Sequence, residues 1–244
     1  LPFERAVELF GETIRIGAAA GADLVLIETM SDSYEAKAAV LAAKENCDLP
    51  VLVTLIFDEK GKLLTGGTVD STVAMLEGLR VDALGVNCGL GPKQMHPIIE
   101  RLTQVSSLPI IVNPNAGLPR SENGKTVFDI APAEFSDLME EIAGMGVQAL
   151  GGCCGTTPEH LRLTIEKCRK VPFRPPVAKR RTVVSSFSQA VEIGPKPVII
   201  GERINPTGKS KFKAALRENN IEYILGEGTV SYTHLRAHET EADL

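Results

Sequence analysis

Five short, almost wholly apolar runs spaced about 30 residues apart constrain this chain more than any other feature: 24–28 (LVLIE), 51–57 (VLVTLIF), 83–87 (ALGVN), 109–113 (PIIVN) and 147–151 (VQALG). They are continuous rather than alternating. Runs of this kind suit strands buried on both faces, as in a parallel sheet covered by helices. Helical periodicity fills the intervals at 3–20, 33–46, 69–80, 94–106, 132–144 and 158–170. Two of these stretches carry start signals: Asp32 stands three residues before Glu35, and Thr157 precedes Pro158 and Glu159. The repeating βα unit predicts an α/β fold, either a barrel or a doubly wound sheet.

Polar residues at the ends of the runs favour the barrel. Four runs lead into Glu28-Thr29, Asn87-Cys88, Asn113-Pro114-Asn115 and Gly152-Cys153-Cys154. In a barrel the C-terminal strand ends open on one mouth, where residues from strands that are not neighbours meet. The expectation is a partial (βα)8 TIM barrel. A full barrel has eight strands. The five runs are therefore read as strands 4–8, with three βα units expected upstream of Leu1, which is not a methionine.

With 43% apolar and 23% charged residues, the 244-residue chain can bury a sizeable core. A net charge of −5 excludes broad electrostatic capture of nucleic acid or an anionic membrane. No apolar run nears the roughly 18 residues of a membrane helix, and no signal-peptide layout opens the chain. The cysteines are an odd set of five, Cys47, Cys88, Cys153, Cys154 and Cys168, two of them adjacent. That argues against a disulfide framework and for a reducing compartment, the cytoplasm.

The composition shifts after Val171. Residues 173–179 (FRPPVAK) are proline-rich and basic, a linker signature. A Ser-rich apolar stretch at 182–191 follows, and 197–201 (PVIIG) reads as a new strand leading to Asn205-Pro206. The expected organisation is a barrel over 1–172, a linker over 173–196, the first strand and start of a second α/β barrel over 197–229, and a non-native tail over 230–244. The tail has no helix or strand period and resembles the read-through of a sequencing adapter, so its histidines are not read as ligands. Thr207-Gly208-Lys209-Ser210 imitates the end of a phosphate loop, but the first glycine of that motif would fall on Arg203.

Cys88 directly follows one run, in Gly85-Val86-Asn87-Cys88-Gly89, and Cys153-Cys154 follow another, in Gly151-Gly152-Cys153-Cys154-Gly155. The glycines allow sharp turns. Three thiolates from two strand ends make a soft donor set that favours Zn2+, and three protein ligands leave a fourth position open, as in catalytic zinc sites. A lone cysteine at such a place is more often a small buried apolar residue, which is the reading for Cys47 and Cys168. The vicinal pair is unusual as packing. A redox pair is the alternative, although the CxxC spacing is missing.

The segments at 85–89 (GVNCG) and 151–158 (GGCCGTTP) resemble the zinc signature of the homocysteine S-methyltransferase family, a likeness that extends over about residues 1–172. The resemblance implies a (βα)8 barrel with Cys88, Cys153 and Cys154 as zinc ligands at the ends of its sixth and eighth strands. It also implies that Glu28 contacts the amine of homocysteine and that Asn115 is a substrate or resting-metal contact. Residues 200–208 (IGERINPTG) resemble the opening of the pterin-binding barrel in the cobalamin-dependent methionine synthase family, with Asn205 as a pterin contact. Together these imply zinc-dependent methyl transfer to the homocysteine thiol, giving methionine. Methylcobalamin is the implied donor, recharged from 5-methyltetrahydrofolate, with the cobalamin-binding module outside this chain. The alternatives are a cobalamin-independent enzyme using betaine or S-methylmethionine, and a non-catalytic zinc or redox cysteine protein. An isolated five-strand unit with unpaired edges is expected to be inactive.

Overall fold

A computed structural model describes residues 1–122, 124–194, 196–198 and 205–228, and its contacts divide the chain into two units, Leu1–Gly194 and Pro195–Leu244. The first unit runs α1 (Phe3–Ala19), β1 (Val25–Met30), α2 (Ser33–Asn46), β2 (Val51–Leu55), α3 (Val69–Gly78), β3 (Ala83–Asn87), α4 (Pro92–Val105) and β4 (Ile110–Asn113). It continues through β5 (Arg120–Glu122), β6 (Lys125–Val127), α5 (Pro132–Gly144), β7 (Ala149–Leu150), α6 (Pro158–Cys168), β8 (Thr182–Ser185) and β9 (Ala190–Ile193). The expected helix starts are in place. Asp32 accepts a hydrogen bond from the Glu35 N–H (2.7 Å), and Pro158 opens α6.

The main sheet has the order β1-β2-β3-β4-β7, and every neighbouring pair is parallel. A doubly wound sheet reverses its strand order at a switch point and so carries helices on both faces. Here strand order follows chain order without reversal, and right-handed crossovers leave the helices on one face. The sheet is therefore an arc of a barrel.

On the helix side, Val51, Val53, Leu55, Val86 and Val112 are at most 1% exposed and form one cluster with Val40, Leu76, Ile99 and Met139. Each such side chain contributes about 1.5–3 kcal/mol on burial. On the inner face Thr54 pairs with Gly85, Gly85 with Ile111, and Ile111 with Ala149. Glycine is required at position 85, since a Cβ there would run into the Ile111 main chain. β1 lies at one edge, with Leu26 and Glu28 exposed.

Several features depart from the sequence reading. The run at 147–151 yields only a two-residue β7, although the Gln148 N–H to Ile110 carbonyl and Gly151 N–H to Val112 carbonyl bonds, both 3.1 Å, extend its ladder. Two antiparallel hairpins were not legible: β5–β6 in the β4–α5 connection, and β8–β9 within 173–196. The proline-rich stretch before β8 is tied down. Gln148 accepts from the Ile110 N–H (2.7 Å) and donates to the Arg174 carbonyl (2.8 Å), and the Lys179 N–H donates to Ser107 Oγ (3.1 Å). In the second unit α7 (Ser210–Arg217) buries Phe212 and Ala215. Most of the strand expected at 197–201, and the whole tail at 230–244, lie outside the described residues. Among the described residues no helix is long and apolar enough to cross a membrane.

Gly85→Ala should destabilise the first unit by about 1–3 kcal/mol through overpacking, read as a lower denaturant midpoint; an unchanged midpoint would contradict the close approach to Ile111. Helices α3 and α4 are joined by a bidentate pair in which Arg101 Nε meets Asp70 Oδ2 at 2.9 Å and Nη2 meets Oδ1 at 2.6 Å. Hydrogen bonding to Arg101, aided by its charge, holds the Asp70 carboxyl below its ordinary range. A depressed folded pKa contributes stability above the unfolded value of about 3.9, and that stability is lost as pH falls through the folded value. Both groups are partly exposed, so the contribution stays under about 1 kcal/mol. Arg101→Met should cost that amount in urea titrations at pH 7, and the difference should vanish in acid once Asp70 is protonated in both states.

Candidate metal centre

Cys88 is the first residue past β3, in the left-handed region with φ 57°, and Gly89 follows at φ 70°. The Cys88 N–H still donates to the Asn113 carbonyl (3.0 Å), so the ladder holds the cysteine as the chain turns away. The loop after β4 then reaches the second cysteine segment. Pro114 O accepts from the Cys153 N–H (2.8 Å), Asn115 Oδ1 accepts from the Cys154 N–H (3.0 Å), and the Ala116 N–H donates to the Cys154 carbonyl (2.9 Å). One loop, bonded on both sides, thus sets the two cysteine segments against each other. Two glycines make room for it. A Cβ on Gly151 would lie 2.5 Å from Asn113 Oδ1, and Gly155, at φ 79°, faces the Phe128 ring with no space for a side chain.

The Sγ atoms of Cys88, Cys153 and Cys154 all lie within 4.8 Å of one another, and those of Cys88 and Cys154 are 3.8 Å apart. Tetrahedral zinc with Zn–S bonds of about 2.3 Å places its sulfurs about 3.8 Å apart. The Cys88–Cys154 contact matches that edge. All five cysteines are free thiols; Cys88 and Cys153 are half-buried and Cys154 is exposed, so the cluster opens to solvent. Three soft donors with an open side suit a borderline-soft divalent cation that can take one further ligand.

Burial, and then the neighbouring Cys88 thiol, push the Cys153 thiol up to about 12. With no cation beside it, the Cys153 thiol stays protonated at neutral pH. A dication reverses the sign, because it stabilises the thiolates.

Glu28 lies at the C-terminal end of β1, on the same end of the sheet as the cysteines. It sits in a bulge: pairing passes from Ile27–Val53 to Met30–Leu55, one more residue in β1 than in β2. Thr29 takes the left-handed conformation there, φ 67°, at a cost of roughly 1–2 kcal/mol. The Asn87 carboxamide holds it: Oδ1 accepts from the Thr29 N–H (3.1 Å) and Nδ2 donates to Thr29 Oγ1 (2.7 Å). Asn115 is buried and bonded to Cys154, whereas Asn205 belongs to the second unit, where its Oδ1 accepts from the Thr207 N–H (2.8 Å). Cys47 Sγ lies 3.5 Å from the Ala43 carbonyl at the end of α2, and Cys168 packs against the core.

The Asn87–Thr29 clamp escaped sequence reading, because nothing local pairs residues 58 apart. His160 escaped it too. Its Nδ1 accepts from the Thr157 N–H (3.2 Å) and its Nε2 meets the Ile130 carbonyl (3.0 Å), tying α6 to the loop before α5. A residue three past a helix cap was the available signal. A cavity of about 720 Å³ between α1 and α2, lined by Phe3, Phe10 and Tyr34 among others, contains none of the cysteines.

Residues 1–168 match the homocysteine S-methyltransferase family. The methionine synthase of Mycobacterium leprae (strain TN) is 34% identical over 209 residues, and that of Mycobacterium tuberculosis (strain ATCC 25618 / H37Rv) 32% over 209 residues. Each alignment covers 80% of this chain, which spans 17% of the length of these curated relatives. The apo crystal structure of the homocysteine methyltransferase MmuM from Escherichia coli superposes with a TM-score of 0.53 at 25% identity, covering 66% of this chain and 57% of that one. Its metallated form gives 0.53 at 26% identity, with coverage of 67% and 52%.

Because the Cys153 thiol stands at about 12, metal uptake has to displace its proton at any pH near neutrality. Adding Zn2+ to metal-free protein in weak buffer should release protons, that of Cys153 among them, with apparent affinity rising with pH. An indicator titration that reads no release would exclude ligation by thiolates.

Proposed function

The chain belongs to the homocysteine S-methyltransferase family, and on that premise we propose that it forms the thiol-activating part of an enzyme that methylates homocysteine to methionine. The observation that carries the reading is the set of three Sγ atoms within 4.8 Å at one end of the sheet. Cys88, Cys153 and Cys154 are the residues that would hold Zn2+. The metallated form of the Escherichia coli relative supports a metal there.

Homocysteine needs such a site because a free thiol, with pKa about 8.5, is little ionised at neutral pH. Zinc supplies thiolate formation and orientation of the substrate sulfur. The residues of the chain do the remainder. Asn115 holds the Cys154 main chain in place, the exposed side at Cys154 admits the substrate, and Glu28 accepts its ammonium group. In the transfer the thiol loses its proton, the sulfur bonds to the methyl carbon, and the donor keeps the electron pair of the broken bond.

The proposed donor is methylcobalamin, held by another module and recharged from 5-methyltetrahydrofolate. Its support is the 32–34% identity to methionine synthases and the segment at 200–208, where Asn205 is the proposed pterin contact. Residues 200–204 of that segment lie outside the described residues. A cluster of reduced thiols suits the cytoplasm.

After zinc loading and dialysis, the parent chain should retain about one zinc and Cys153→Ser only a small fraction of it. Unchanged zinc in that variant would overturn the ligand assignment. Homocysteine added to the cobalt-substituted chain should give a new thiolate-to-cobalt absorption, and none should appear if the site is a closed structural one.

A further inference from the structure

We infer that Asn87 is a positioning residue: by holding Thr29 in the left-handed conformation it sets where the Glu28 carboxylate stands relative to the three cysteines, coupling recognition of the substrate's ammonium to capture of its thiol. The inference deepens the proposed function and rests on it.

β1 and β3 are not neighbours in the sheet, for β2 lies between them. Asn87 nevertheless bonds across to Thr29 with both ends of its carboxamide, at 3.1 and 2.7 Å. Bulges that need a left-handed residue ordinarily place glycine there. Thr29 is β-branched, the side-chain shape least suited to positive φ, so its conformation has to be held from outside. Its N–H and its hydroxyl both go to the same carboxamide. Asn87 is 0% exposed, so its carboxamide has no water to turn to and is committed to Thr29, although Thr29 itself lies at the surface.

The covalent neighbours of the clamp give it a function. Glu28 directly precedes Thr29, and Cys88 directly follows Asn87. Released from Asn87, Thr29 would relax to extended backbone and the bulge would be lost. A one-residue change of register turns every side chain beyond it to the opposite face of a strand. Glu28 lies within that bulge and would lose its aim, while the cysteines, held by the β4 loop, would stay in place.

The test is a titration of the full chain, cobalt-substituted, with L-homocysteine and with 2-mercaptoethanol, a thiol that lacks the ammonium group; the readout is thiolate-to-cobalt absorption. Asn87→Ala should bind homocysteine about tenfold more weakly, with the small thiol within about twofold of the parent and cobalt stoichiometry unchanged. Thr29→Val, which keeps the shape without the hydroxyl, should move in the same direction and decides the matter if Asn87→Ala does not fold. Adding Thr29→Gly to Asn87→Ala should restore part of the homocysteine affinity, because glycine takes positive φ unaided; a merely structural clamp would be weakened further by that glycine. The inference is overturned if both single variants keep the parent's ratio of the two affinities, or lose both thiols equally. A parent chain that shows no band with either thiol, or binds the two alike, fails at the functional reading itself and takes the inference with it.

Discussion

The parallel register of β3, β4 and β7 is the constraint on which the rest depends. Asn87 pairs with Asn113, and Val112 pairs with Leu150. Those pairings bring the chain after β3 and the chain after β7 to one level, with the β4 loop between them. Cys88 and the vicinal pair, 65 residues apart in sequence, meet there without a covalent link. A slip of one residue in either ladder would turn the strand-end side chains to the helix side.

The strand ends also carry backbone strain. Thr29 and Cys88 both adopt positive φ, and Gly151 and Gly155 stand where any side chain would collide. Strain of this kind persists only when the surroundings over-determine it, and it gathers at functional sites. Here the surroundings are identifiable: the Asn87 carboxamide holds Thr29, the Asn113 carbonyl holds Cys88, and the Asn115 side chain holds Cys154. The buried Val and Leu residues behind β2, β3 and β4 keep those partners in place.

Beyond the sheet, residues 173–194 end the first unit as a tied strap. Gln148 and Ser107 bind its proline-rich start, and β8 and β9 pair with each other after it. A composition typical of linkers thus becomes ordered, because the half-buried Gln148 amide just before β7 offers a partner to the Arg174 carbonyl.

By itself the sequence determined the α/β class, the five parallel strands, the helices between them and the three cysteines, because these follow from local periodicity and from residue types with few alternative uses. The barrel rather than the doubly wound sheet was favoured by polar strand ends, but only strand order decided it. The tertiary structure alone decided that the three sulfurs lie within 4.8 Å of one another, that Asn115 bonds to the Cys154 main chain, and that Asn87 clamps Thr29. It also decided the two hairpins. The short, mostly exposed strands of β5–β6 carry little apolar signal of their own, the apolar stretch of β8–β9 does not show its pairing partner, and contacts between residues far apart in the chain leave no periodic trace in it.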